Sequence, residues 1–459
     1  MIKRNRCKMP LRPAEERAHD FGEVALGFSA EQAKAEAERC LQCKGAPCVH
    51  GCPVSVNIPA FLQKVREGDY VAAGESIGKT SSLPAVCGRV CPQEAQCEKV
   101  CLRGRVDAPV AIGGVERFVG DYMLENRPTP TPAAQTGKRV AVVGSGPAGL
   151  TCAAELSKKG VAVTVFEAFH KAGGVLVYGI PEFRLPKRLV QQEIEALEQR
   201  GVEIRLNTVV GKTLPVEELL SSYDAVFLAS GAGLPLFMNI PGENLNGVYS
   251  ANEYLTRVNL MQAYKEGSAT PVWRGKQVTV VGAGNVAMDA ARTALRMGAE
   301  SVRVVYRRTR EEMPARKEEI EHAEEEGVEF LLLTDPVEIL GENGCVTEMR
   351  CVKTQLGEPD ASGRRAPVRI EESEFTVKTD MVIVALGTAP NPLIRRSFAT
   401  LATTKKGCIV VDEQTMQTSV PRLYAGGDAV TGAATVILAM GAGRKASHAI
   451  LQRLGLAEE

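Results

Sequence analysis

The sequence predicts an α/β fold in which a helical, cysteine-rich front end precedes two strand–glycine-loop–helix units, the second inserted in the first. Three observations predict it. Nine of the 13 cysteines fall within the first 101 residues, glycine-rich loops follow apolar strands at Gly144 and Gly282, and the chain closes with a further strand, a glycine pair and a long helix. A length of 459 residues, 44% hydrophobic and 24% charged, suffices for two or three domains with ample core.

Charge and hydropathy exclude several classes. Lys+Arg and Asp+Glu both number 55, so no net positive field gathers nucleic acid or an anionic membrane. No apolar run reaches the length of a membrane span, and MIKRNRCKMPLRP lacks the apolar stretch of a signal peptide. A cytoplasmic protein is expected.

The front end begins with Ser29 and Gln32, a capping box that opens the helix AEQAKAEAER and delivers the chain to Cys40. NIPAFLQKVREGDYVAAGESIG and VAIGGVERFVGDYMLE have helical apolar spacing, and the proline- and threonine-rich stretch 127–137 marks a domain boundary. Between these lie the runs C-x2-C-x4-C-x3-C-P, from Cys40, and C-x3-C-x5-C-x3-C, from Cys87. In a reducing compartment such a concentration of thiols asks for a metal rather than disulfides. Two structural zinc sites are the simpler alternative, although zinc knuckles use separated C-x2-C pairs. The first run instead approximates the ferredoxin pattern C-x2-C-x2-C-x3-C-P, in which three cysteines hold one [4Fe–4S] cluster and the fourth reaches a second. Its middle gap is longer by two residues. A helical iron–sulfur domain is expected over 1–136.

The segment KRVAVVGSGPAGLTCAAELSKKG then gives a buried strand, Gly144, Gly146 and Gly149 at the G-x-G-x-x-G positions, and a helix that starts with Pro147 and Ala148. The next strand, VAVTVFEA, ends in Glu167, a little over twenty residues beyond the first glycine, where a carboxylate accepts a hydrogen bond from an adenosine ribose. Gly146 lets the backbone approach a pyrophosphate, whose charge sits at the positive helix start. A second copy, KQVTVVGAGNVAMDAARTALRMG, has Gly282, Gly284 and Ala287 in the same places, with Asn285 following the loop. Its next strand, SVRVVYRRT, carries Arg307 where the first unit has Glu167, with Arg308 beside it. A carboxylate there repels a ribose phosphate, whereas a guanidinium grips one with two parallel hydrogen bonds. The first Rossmann-like site is therefore assigned to FAD and the second to NADPH; a merely solvated strand end is the alternative for the arginines.

TDMVIVALG is a buried strand, and RLYAGGDAVTGAATVILAMGAGRKASHAI is a short strand, the pair containing Gly427 and then Asp428, and a long helix. In flavoproteins with two dinucleotide units such a segment returns to the FAD unit. The aspartate holds the ribityl chain, and a helix start near Thr435 and Val436 faces the pyrimidine edge, which favours the reduced flavin. The expected FAD domain is 137–252 with 375–459, and the expected NADPH domain is 253–374.

The order of the cysteine-rich front end with LPAVCGRVCP, the unit with AGGVLVYGIPEFRLPK, the inserted unit and the closing AGGDAVTGAATVILAMGAGRKA resembles the glutamate synthase small-subunit family over essentially the whole chain. The core flavoprotein resembles adrenodoxin reductase. The resemblance implies one [4Fe–4S] cluster on Cys40, Cys43, Cys48 and Cys101. It implies a second on Cys52, Cys91 and Cys97, with Glu116 of IGGVE as the fourth ligand; on the residues alone Glu116 reads as an exposed helix carboxylate. It leaves Cys87 a spare thiol and adds Gly174 to the FAD contacts.

The implied activity carries electrons from NADPH through FAD and two clusters to a partner, a second flavoprotein subunit such as the glutamate synthase large subunit. Also similar is the large subunit of the electron-bifurcating NADH-dependent reduced ferredoxin:NADP oxidoreductase, whose reaction involves ferredoxin and an NAD(H)-handling partner. An electron-transfer adaptor without turnover is a third reading. No acid–base residue is required for hydride transfer, and the five histidines are scattered. Neither nucleotide unit carries a C-x4-C or C-x-x-C redox pair. Met1 precedes Ile2, so no amino-terminal cysteine nucleophile is visible, and a partner is expected to use the electrons.

Overall fold

The computed structural model describes residues 5–126, 131–361 and 363–457. Residues 127–130 of the expected boundary stretch, like Met1 and Ile2, lie outside the described residues.

The front end is helical, as its spacing requires. Ser29 Oγ accepts from the Gln32 N–H at 3.3 Å while Gln32 Oε1 accepts from the Ser29 N–H at 2.9 Å, closing the capping box on helix Ala30–Ala37. The long segment after Asn57 forms two helices, Ile58–Glu67 and Tyr70–Gly78. Gly68, at φ +82°, ends the first, and Asp69 caps the second from the Ala72 N–H at 3.0 Å. Helices Pro84–Val90 and Ile112–Asn126 pack backbone to backbone: a Cβ on Gly88 would lie 2.5 Å from Arg117 Cα, and one on Gly120 would lie 2.5 Å from Ala85 N.

The first parallel sheet has the order Leu423–Ala425, Ala225–Leu228, Arg139–Val143, Ala162–Phe166, Glu203–Arg205. Its central strand, from Val140 to Val143, is buried on both faces, which is why it reads as an unbroken apolar run. The closing segment thus returns to this sheet as expected. The second parallel sheet has the order Val248–Ser250, Met381–Val384, Gln277–Val281, Ser301–Tyr306, Glu329–Leu332.

Two assignments are corrected here. Val248–Ser250 and Met381–Val384, expected in the FAD domain, pair into the second sheet, with Val382 opposite both Val248 and Thr279. A strand buried on both faces carries no mark of which parallel sheet it joins. The crossings between units lie further out, where Leu234–Pro235 pairs antiparallel with Thr388–Ala389. A third sheet was not foreseen: Thr334–Glu342, Cys345–Pro359, Arg365–Arg369 and Phe375–Lys378 form an antiparallel layer against the second unit. Among the described residues no helix is long and apolar enough to cross a membrane.

Candidate flavin, nucleotide and iron–sulfur sites

The thiols fall into two groups that cross between the sequence runs. Cys40, Cys43, Cys48 and Cys101 line one cavity, with Leu62 and Arg103 among its walls. Gln42 and Ala46, both in the left-handed region at φ 49° and 36°, curl the chain around it, and Gln42 Nε2 donates to Cys40 Sγ at 3.6 Å. Burial, then the neighbouring Cys40 and Cys101, pushes the Cys48 thiol up to about 11. Burial, with the charges of neighbouring cysteines, raises the Cys40 thiol as well, and the positive charge of a multi-iron centre would hold such buried sulfurs as thiolates.

Cys52, Cys91 and Cys97 gather around Glu116: burial chiefly raises Cys52 and Cys97, the Cys87 side chain and burial raise Cys91, and the Glu116 charge adds to all three. Glu116 is buried, its carboxylate has no hydrogen bond or ion pair among the described residues, and burial pushes it up to about 8. An unpaired buried carboxylate costs several kcal/mol unless it meets a cation. Its place on helix Ile112–Asn126 explains the orientation, because Ile112 and Val119, four before and three after, are buried on the same face. Read from the residues alone this carboxylate is expected to be exposed, and only the family resemblance singles it out. Also unforeseen was Glu98, buried beside Cys97, which binds Arg6 at 2.7 Å and accepts from the Gly113 N–H at 3.2 Å.

The first glycine loop is built for close approach. Gly144 has φ +101°, and a Cβ there would lie 2.4 Å from Ala229 O; one on Gly149 would lie 2.0 Å from Gly144 O. Gly146 faces open space within 4 Å, directly before Pro147 at the start of helix Pro147–Ser157. Glu167 is fixed beside the loop. Its Oε2 accepts from the Ser145 N–H at 3.0 Å and the Ser145 hydroxyl at 2.5 Å, and its Oε1 accepts from the Phe169 N–H at 2.9 Å. Gly174, at φ +55°, stacks so closely that its Cβ would lie 2.8 Å from Gly146 Cα.

The closing segment completes this cradle. Asp428 accepts from the Ala434 N–H at 3.3 Å and is pushed up to about 6 by burial. Tyr178 is pushed up to about 12 by burial and by the charges of Asp428 and Glu167, so it stands near both carboxylates. Thr435 caps helix Val436–Arg453, accepting from the Leu438 N–H at 3.4 Å. That helix crosses helix Pro147–Ser157 in contact, since a Cβ on Gly443 would lie 2.2 Å from Ala148 O; Gly427, earlier in the closing segment, packs on the same residue, where a Cβ would lie 3.0 Å from Ala148 Cβ.

The second loop repeats the geometry, with Gly282 at φ +126° and its Cβ position 2.4 Å from Ala385 O. Ala287 is buried, and Asn285 Oδ1 accepts from the Arg316 N–H at 3.0 Å. The expected arginine pair is corrected to one. Arg307 is exposed with no side-chain partner among the described residues, whereas Arg308 is buried, donating to Arg365 O at 2.7 Å and pairing with Asp360 at 2.5 Å. Both follow the end of strand Ser301–Tyr306, where the chain bends and leaves one side chain in solvent while the other props the antiparallel layer.

Residues 17–128 match the family model described as dihydropyrimidine dehydrogenase domain II, 4Fe-4S cluster, and residues 138–446 match that of pyridine nucleotide-disulphide oxidoreductase. Over 459 aligned residues the chain is 39% identical to the glutamate synthase [NADPH] small chain of Escherichia coli, covering 98% of this chain and 97% of that one. The chain belongs to the glutamate synthase small-chain family. As a member of this family it is an NADPH-dependent oxidoreductase that uses FAD and iron–sulfur chemistry. It is also 41% identical to the NADP(+)-dependent formate dehydrogenase subunit beta of Moorella thermoacetica, over 89% of this chain and 60% of that protein. The fold is shared with FprA of Mycobacterium tuberculosis at a TM-score of 0.59 and 21% identity, over 69% of this chain and 85% of that one.

Proposed function

We propose that this member of the family accepts electrons from NADPH at the flavin cradle and passes them through two [4Fe–4S] clusters to a partner subunit. Bound FAD supplies the conversion of a two-electron hydride into single electrons. The chain's own residues do the positioning. Gly144, Gly146 and the start of helix Pro147–Ser157 would take the FAD pyrophosphate, Glu167 its adenosine ribose and Asp428 its ribityl chain. Gly282, Gly284 and Arg307 would take the NADPH pyrophosphate and 2′-phosphate.

The observation that supports this reading is the gathering of seven cysteines and Glu116 into two groups of four, the more buried of them against the flavin side. The Cys52 group abuts helix Val436–Arg453: Arg444 Nη1 donates to Val54 O at 2.9 Å, and a Cβ on Gly441 would lie 3.1 Å from Pro53 O. The Cys40 group includes three partly exposed thiols, Cys40, Cys43 and Cys101, and so offers an exit. Electrons are thus expected to run from the cradle to the buried cluster, the outer cluster and the partner.

Anaerobically purified protein should contain about eight irons per chain. Stoichiometric zinc, or about four irons, refutes two clusters. Pull-down from native extract identifies the partner. The large subunit of a glutamate synthase is expected; the identity to a formate dehydrogenase subunit favours, as a second reading, a dehydrogenase partner that supplies electrons for NADP+ reduction.

A further inference from the structure

The second unit grips the wall of the flavin cradle through one side chain. After helix Ala251–Leu255 the chain widens into a π-turn, Thr256–Leu260, in which the Met261 N–H donates to Thr256 O, five residues back, at 3.1 Å. Such turns are rare and are frequent at functional sites. This one presents its side chains to two cores: Val258 packs in that of the second unit, and Leu260 in that shared by the front end and the flavin unit. Between them Asn259, 3% exposed, donates from Nδ2 to Tyr178 O at 3.3 Å and to Gly179 O at 3.2 Å. Those carbonyls lie at the end of helix Val175–Tyr178, where a helix leaves its last acceptors without internal donors.

The amide is committed to this contact. Its Oδ1 is buried with no partner among the described residues, and the opposite orientation would set that oxygen against two carbonyl oxygens. A buried acceptor without a partner is costly, and native folds carry few of them. The helix that Asn259 holds lies along the cradle. Gly174, at its start, packs on Gly146 of the first glycine loop. The Tyr178 ring, at its end, stands edge-on to that of Phe169 with centroids 5.9 Å apart, and the Phe169 N–H binds Glu167. Further along, Arg184 Nη1 donates to both oxygens of Asp289 at 2.8 Å, on the helix Asn285–Arg296 that begins at the second glycine loop. The segment from Tyr178 to Arg184 therefore has the cradle at one end and the nucleotide helix at the other. We infer that Asn259 is a positioning residue for hydride transfer: its amide fixes the cradle wall to the second unit and so sets the flavin against the nicotinamide. In that step one hydride passes from NADPH, left as NADP+, to the flavin, which is thereby reduced by two electrons. The inference rests on the proposed FAD and NADPH sites.

The test uses the full-length, anaerobically purified holoprotein in excess FAD. Asn259→Leu is similar in shape and lacks the donor; Asn259→Ala removes donor and bulk together, and either variant serves if the other does not fold. In rapid mixing with saturating NADPH, the limiting rate of flavin reduction should fall about tenfold to a hundredfold, the loss expected when reacting groups are misplaced by about 1 Å. Apparent affinity for NADPH, iron content and FAD content should stay at wild-type values. Static titration of the reduced protein with NADP+ gives a second readout: the long-wavelength charge-transfer absorbance of flavin stacked on nicotinamide should weaken in the same variants. A role confined to stability moves neither. An unchanged rate and an unchanged band overturn the inference. So does a lower NADPH affinity at an unchanged limiting rate, which would make Asn259 a nucleotide-binding residue, and so does loss of FAD that excess FAD does not reverse, which would make it a residue of the fold alone. Wild-type flavin that NADPH does not reduce fails the proposed sites instead, so the two failures are distinguishable.

Discussion

At the scale of the residue, Arg307 and Arg308 are adjacent, chemically identical and differently employed. Arg307→Ala removes the exposed guanidinium, and charge-assisted hydrogen bonds worth about 1.5–3 kcal/mol should be lost with NADPH alone, because NADH has no 2′-phosphate. Apparent affinity for NADPH, measured by flavin-reduction kinetics at varied nucleotide, should fall about tenfold or more, with the rate at saturation nearly unchanged. Arg308→Ala should leave the preference for NADPH over NADH intact and lower stability, because the bonds from Arg308 to Asp360 and to the Arg365 carbonyl are lost. Equal loss of both nucleotides in Arg307→Ala would remove it from the 2′-phosphate site. The site's glycines and Glu167 were legible because each occupies a fixed offset from a strand. The division between the two arginines was not, since it depends on Asp360, about fifty residues downstream in the antiparallel layer, reaching back to Arg308. Glu116 was legible in sequence only through its family motif, because a lone carboxylate on an amphipathic helix is usually solvated.

At the scale of the element, the cradle depends on how closely two helices approach. Alanine in place of a helical glycine normally stabilises by about 0.5–1 kcal/mol. At Gly443 the added Cβ would lie 2.2 Å from the Ala148 carbonyl oxygen, a backbone atom that has no rotamer to escape into. Overpacking of this kind costs about 1–3 kcal/mol, so the sign reverses. Gly443→Ala should lower the thermal midpoint and release FAD more readily, read by flavin fluorescence on dilution; unchanged FAD retention would mean the helices separate freely. The long apolar strands and their helices were legible from periodicity. The antiparallel layer was missed although it contains a plain signal: Asn343-Gly344, both at positive φ, makes the two-residue turn between Thr334–Glu342 and Cys345–Pro359. Its flanks, interleaved with charged residues, lack a clean alternation, and the segment passed for connection between the two parallel units.

At the scale of the whole molecule, the front end is tied to the second nucleotide unit by buried charge. Glu326 lies at the focus of three guanidiniums: Arg17 Nε donates to it at 3.0 Å, Arg292 Nη2 at 2.7 Å and Arg296 Nη1 at 2.7 Å. Arg292 also pairs with Glu319, Arg184 joins Glu319 to Asp289, and Phe21 stacks on Tyr264 with centroids 4.4 Å apart. A separate strut runs from Arg316 to Gln93 at 3.1 Å and to the Arg89 carbonyl at 3.1 Å. Although burial opposes it, hydrogen bonding from Arg292 and Arg296 holds the Glu326 carboxyl down to about 2, against an ordinary value of 4.5. A depressed carboxyl stabilises the fold fully above its ordinary value and loses that contribution as pH falls through its folded one. The window is therefore pH 4.5 down to 2. Glu326→Gln keeps the shape and removes the charge, leaving three buried cations short of a counter-ion, a change that costs about 3–5 kcal/mol for a broken buried pair. The wild-type denaturation midpoint should exceed that of Glu326→Gln by a wide, constant margin from pH 7 to about 5, and the margin should narrow as acid protonates Glu326 in the wild type. Acid loss of clusters lowers both proteins alike and leaves the difference readable. A margin that is small at pH 7, or that does not narrow in acid, would show that Glu326 does not hold the front end against the second unit by its charge.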